Sequence, residues 1–272
     1  MTSQESSPEC SPRPPKGRPR RLRIAVAVGL VVLICAAVTG LSQMRDREQE
    51  RVATGEIRKV ADTLNLMVSG AESESGELPS IDPTPKATGF YGEMERAFKT
   101  IASERLAQHK AYVQELKTIG MPRLLDAHRL AQDAGLIESR MILEQAERLV
   151  PKYRQQSLQV LNNMPTLIRS LAIREPEKQK MLHTLDTSLA QRNESLEQVW
   201  RLETRILQEF GKMITLLDDN RQYWYADHDE LMFVRDADLT RFHQHQAAIG
   251  KMATEQEQLG KRQLANVFSA LR

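Results

Sequence analysis

The sequence predicts an all-α protein: a single N-terminal transmembrane helix followed by an elongated antiparallel helical bundle with coiled-coil-like heptad packing. Three observations carry this prediction. Residues 24–41 form one apolar run without a charge. Ala, Leu, Glu, Gln, Lys and Arg dominate the remainder, and these are good helix formers. Between Leu182 and Leu231, seam residues recur seven apart, the pattern of helices packed at a shallow angle. No alternating run rich in β-branched and aromatic residues stands between turn signals, so no strand is expected.

The N-terminal residues 1–23 hold five of the 12 prolines, several serines and six basic residues. They have little to bury and are expected to be a disordered basic cytoplasmic tail. Residues 24–44 would span roughly 31 Å as a helix at about 1.5 Å per residue, enough for a bilayer core of about 30 Å. Arg18, Arg20, Arg21 and Arg23 precede the run directly, whereas the basic residues after it are mixed with acids. Orientation follows the Lys/Arg excess, which predicts a cytoplasmic N-terminus and a periplasmic or extracytoplasmic C-terminal domain. The apolar core exceeds that of a cleaved signal peptide, and no clear A-x-A site follows it, so an uncleaved anchor of the inner membrane is expected. Of the two cysteines, Cys10 lies in the tail and Cys35 in the span, which leaves the outer region without a disulfide.

Residues 45–68 read as a juxtamembrane helix. Residues 69–89 hold three glycines and three prolines and read as a linker or long loop. The bundle is assigned to residues 90–272. Its first helix runs over 90–119, with Ala97, Ile101, Leu106, Val113 and Leu116 at roughly helical spacing. Gly120-Met121-Pro122 ends it, with Gly suited to a left-handed position and Pro to the first turn of the next helix. A second helix is expected over 122–149 and a third segment over 151–173. Pro151 and Pro165 act there as boundaries or as kinks in one long helix.

Beyond Pro176 no proline follows. Leu182, Leu189, Leu196, Phe210, Leu217, Trp224 and Leu231 fall seven apart, interrupted only by Glu203; Leu185, Val199, Ile206 and Met213 fill the companion seam. Asn220 could cap a new helix, but the seven-residue phase passes through it. One long helix is therefore expected to end near Asp236-Ala237-Asp238. The last helix then covers 239–271, with Phe242, Ile249, Met252, Leu259 and Val267 on its apolar face.

The densest cluster of unusual residues is Tyr223-Trp224-Tyr225-Ala226-Asp227-His228-Asp229-Glu230. Trp224 continues the heptad and is expected in the core. Tyr223 and Tyr225 flank it, and exposed aromatics beside charge mark them as candidate partner contacts. On a helix, adjacent residues diverge by about 100°, so Asp227, His228 and Asp229 would not face one ion, nor would His243 and His245. No metal site, cofactor or catalytic residue is expected. G-x-S-x-G, H-E-x-x-H, C-x-x-C and the Walker and Rossmann glycine patterns are all missing. The net charge of +2, with acids and bases interspersed, also lacks the basic stripe of a nucleic-acid binder.

The layout is similar in outline to the extracytoplasmic helical bundles of bacterial chemoreceptors, which also follow a first membrane span. The likeness is architectural and rests on no motif. It implies a ligand sensor, but no second apolar run follows within these residues, so a signal would leave through a partner, the anchor or the tail. The reading the sequence favours is a single-pass interaction or scaffold component of the cell envelope, with a protein partner or a second copy of itself, and no enzymatic activity. A small ligand has no support in the sequence. The ligand sensor is the alternative.

Overall fold

The computed structural model describes residues 47–68 and 80–270, with the backbone alone at 66, 67 and 266–270. The tail with the orienting arginines, residues 24–44, most of the 69–89 segment and the Val267 side chain lie outside the described residues. Among those described, no helix is long and apolar enough to cross a membrane.

The chain is mostly helical. The described elements include six helices, α1 (Arg47–Val68), α2 (Gly89–Thr118), α3 (Ala127–Gln132), α4 (Ile137–Ser170), α5 (Glu175–Asp219) and α6 (Asp236–Ala270), and one hairpin between α5 and α6, β1 (Trp224–Asp227) with β2 (Glu230–Phe233). The five long helices close a ring in which α1 packs on α2, α2 on α4, α4 on α5, α5 on α6 and α6 on α1. Cross-helix bonds set their directions. Gln108 and Glu115 of α2 meet Gln156 and Lys152 of α4, Arg140 and Arg154 of α4 meet Asp218 and Glu197 of α5, and Gln198 and Glu209 of α5 meet Glu255 and His245 of α6, so α2, α4, α5 and α6 alternate in direction. Gln49 meets Thr88 and Glu56 meets Lys99, so α1 runs parallel to α2. The helix beginning at Arg47 is thus built into the bundle.

The proximal end holds the starts of α1, α2 and α5 and the ends of α4 and α6. A buried charge network ties α1 and the 80–88 segment there. Glu95 is fully buried and accepts from the Lys86 and Ala87 backbone at 2.9 Å each; Lys99 reaches Glu95, Glu56 and the Thr84 carbonyl. Buried charges persist where every partner is hydrogen-bonded, as here.

The opposite, distal end departs from the expected second helix. Gly120 takes the left-handed conformation (φ 89°) and ends α2 as anticipated, but residues 121–136 form a 3-10 turn, the short α3 and a second tight turn before α4 begins. Arg129 stitches this segment together. It donates to the Arg123 and Leu124 carbonyls, to Ser139 Oγ and to Asp133. Asp133 in turn accepts the Glu138 and Ser139 amides and so caps α4. Pro151 and Pro165 both lie inside α4, which remains one helix through them. Burial of Val150, Tyr153, Leu161 and Met164 on the face toward its neighbours outweighs the cost of about 3 kcal/mol for a proline in a helix interior.

The largest correction concerns residues 220–235. The expected continuous helix stops at Asp219, and the chain forms the hairpin instead. Trp224 is buried as expected, but from a strand.

Candidate interaction surface at the distal end

A hairpin of four residues per strand is marginal alone, and this one is held from several sides. The Trp224 indole is buried and donates Nε1–H to the Leu217 carbonyl at 2.6 Å. The Arg221 guanidinium stacks over the Trp224 ring at 4.2 Å and donates to the Ala131 carbonyl of α3. Phe233 packs on Phe242 of α6, with ring centroids 5.2 Å apart. Arg235 lies 3.6 Å over the Tyr223 ring and bonds both Asp238 and Asn220.

Strand alternation then sorts the side chains. Trp224 opposes Phe233 and Ala226 opposes Leu231 on the inner face. Tyr225 opposes Met232 and Asp227 opposes Glu230 on the outer one. Tyr225 is 53% exposed and Met232 38%. Val234, whose amide bonds the Tyr223 carbonyl, extends that outer row and is 65% exposed. The other large exposed apolar side chains among the described residues are Ile137 and Met141, at successive turns of the start of α4. All five therefore sit at the distal end of the bundle.

The two sequence candidates separate here. Tyr225 stands free on the outer face, whereas Tyr223 is half-buried beneath Arg235. The tip beside them is acidic. Asp227, Asp229 and Glu230 are exposed, with His228 bonded to Asp227 at 2.8 Å and left-handed in backbone (φ 53°) at the turn. Among the described residues no three His, Cys, Asp or Glu side chains converge as metal ligands. His245 instead pairs with Glu209 at 2.7 Å. Sequence reasoning overlooked Ile137, Met141, Met232 and Val234. For Met232 and Val234 the available signal was the pair of short runs 224–227 and 230–233 about a turn; Ile137 and Met141 had none in that pattern.

A second feature is a groove of about 400 Å³ between α4 and α5. Val150, Pro151 and Trp200 are among the residues lining it, and the Arg154–Glu197 pair, two bonds at 2.8 and 2.7 Å, bridges the helices there. The buried Trp200 Nε1 has no hydrogen-bond partner among the described residues. Pro151 has no amide hydrogen, so the carbonyl one turn earlier, at Glu147, lacks its usual helical donor. Donor and acceptor thus occur at one groove.

Comparison of the chain with protein-family models, with curated proteins and with solved structures finds no match.

Proposed function

We propose that this chain is a single-pass, membrane-anchored helical protein whose bundle stands outside the inner membrane and binds a protein partner through its distal end, as an interaction or scaffold component of the cell envelope. One observation carries the reading: the molecule is polar along its length. The element that follows the apolar run, α1, starts at the proximal end, while every large exposed apolar side chain among the described residues gathers at the other. The 45 residues of α5 span about 68 Å at 1.5 Å each, so the hairpin would meet its partner far from the bilayer. Tyr225 and Met232 beside an acidic tip suit an apolar partner surface with a basic rim. The role is binding, not catalysis.

The test is photo-crosslinking in cells from a probe amino acid placed at Tyr225 or Met232, with a proximal probe at exposed Gln179 as control. Capture of one envelope protein from the distal positions alone is the expected result. Equal capture from Gln179, or none from either distal position, would overturn the reading. A ligand sensor acting through a partner is the second reading, supported by the α4–α5 groove with its unpartnered indole.

A further inference from the structure

Along α2, Tyr91, Phe98, Arg105 and Tyr112 fall seven apart, and all four are buried. Three of these seats hold aromatic rings, as an interior seam should. The fourth holds a guanidinium, only 5% exposed. Every other strongly buried charge described above has a partner. Arg105 has none at Nε or Nη2 among the described residues. The acid that bears on it is its exposed chain neighbour Glu104. Burial depresses its pKa to about 10, against the weaker Coulombic pull of Glu104. An unpaired buried cation costs several kcal/mol, and natural cores seldom keep one.

The bundle's register shows what faces this seat. Tyr112 and Gln256 both bond Glu203, so α2, α5 and α6 converge there. One heptad toward the proximal end, about 10 Å away, the same faces present Arg105, Leu196 and Gln263. Leu196 is buried and offers no charge. Gln263 is 9% exposed, and neither its amide nitrogen nor its amide oxygen has a partner among the described residues. One turn along α2, His109 also has an unpartnered buried Nδ1. Burial lowers its pKa to about 4, so it adds no second positive charge at neutral pH.

We propose that Arg105 and Gln263 form an interior binding site for a small carboxylate monoanion. The free Nε and Nη2 hydrogens are neighbours on one edge of the guanidinium, and a carboxylate accepts that edge through two parallel bonds. The Gln263 amide supplies a third donor to the same group. A carboxylate matches the single charge of the Arg105 guanidinium. The apolar Leu196 beside the seat disfavours a four-oxygen anion, whose remaining oxygens would lack donors. This inference does not depend on the distal contact surface.

Thermal unfolding of the purified full chain tests it, with sodium formate and acetate compared with chloride and sulfate at equal ionic strength. The carboxylates should raise Tm by about 5 °C beyond chloride once well above Kd. Arg105→Met should abolish the difference, and Gln263→Leu should reduce it while helicity by circular dichroism is unchanged. Gln263→Leu keeps the proposal testable if Arg105→Met fails to fold. Equal shifts in chloride and acetate, a shift in sulfate alone, or a carboxylate response that both variants retain would overturn the assignment. Crosslinking at Tyr225 should be the same in Gln263→Leu as in the unaltered chain, which separates this site from the distal one.

Discussion

The Tyr112 hydroxyl on α2 donates to Glu203 Oε1 on α5 at 2.7 Å, inside the core. Glu203 is 1% exposed, and Gln256 of α6 donates to its other oxygen at 3.0 Å. The Tyr112 ring also stands edge-on to Trp200 and Tyr153, at 5.7 and 5.0 Å. The interruption of the heptad at Glu203 is therefore a polar rung joining three helices. Such a rung favours one register over slipped alternatives.

Tyr112→Phe removes one donor from a buried carboxyl and should destabilise the fold by about 1–3 kcal/mol. Glu203→Leu alone strands the Tyr112 hydroxyl and leaves the Gln256 amide only its bond to the Val199 carbonyl, and should cost a similar amount. Combining Tyr112→Phe, Glu203→Leu and Gln256→Leu in one chain should recover most of the loss, because an apolar rung has nothing to satisfy. Chemical denaturation of each variant measures this. A triple variant as unstable as the worst single change would refute the account.

The pH dependence contains opposing contributions. Burial pushes the Glu203 pKa up, against the hydrogen bonds from Gln256 and Tyr112. Its contribution is full below its ordinary value near 4.5 and declines as pH rises. Burial pushes His109 down to about 4 from 6.5, so stability is lost as pH falls across that interval. Glu56 is held near 2, first by its bond to Lys59 against burial and then by Lys99 and Lys86, and its contribution fades below about 4.5. His109→Gln should flatten the loss between pH 6.5 and 4, and Glu203→Gln should make stability rise more steeply above pH 4.5. Denaturant midpoints across pH at fixed ionic strength will show whether each slope moves in that direction.

Gly92 lets the 80–88 segment reach α2. A Cβ there would lie 2.3 Å from the Ala87 carbonyl oxygen, which is backbone. Gly92→Ala should cost about 1–3 kcal/mol and loosen the Glu95 bonds to Lys86 and Ala87. Hydrogen exchange at those two amides should accelerate, while amides of α5 near Phe210 keep their rank as the slowest. Unchanged exchange at 86 and 87 would count against the packing argument.

Trp224 and Tyr225 are adjacent and should behave oppositely. Trp224→Ala removes a buried ring and its bond to Leu217, and should destabilise by about 3–5 kcal/mol. Tyr225→Ala should stay within about 0.5 kcal/mol of the parent and yet weaken partner capture. A large stability loss in Tyr225→Ala would place that ring in the fold and remove it from the contact surface.

Much of the bundle is legible in the residue pattern. Good helix formers, the stop at Gly120 and the seam from Leu185 through Val199, Ile206 and Met213 all correspond to structure. Of the two candidate contact residues, Tyr225 was readable as an exposed aromatic beside charge. Tyr223 was not separable from it, because the covering Arg235 is twelve residues away and meets it only through the turn.

Composition and period alone determined that the chain is helical and which faces are apolar, since helix propensity and burial are local properties of the chain. Tertiary structure decided the rest. A seven-residue spacing samples the chain too sparsely to separate a helix from a hairpin. Trp224 and Leu231 turn inward in either geometry, and packing of Trp224 under Arg221 and of Phe233 on Phe242 selects the strands. The prolines of α4 stay within one helix because its neighbours bury the surrounding side chains. The direction of α1 depends on Glu56 meeting Lys99, 43 residues later, and on Gln49 meeting Thr88. Pairings between residues so distant in sequence have no periodic signature, and only the folded chain brings them together.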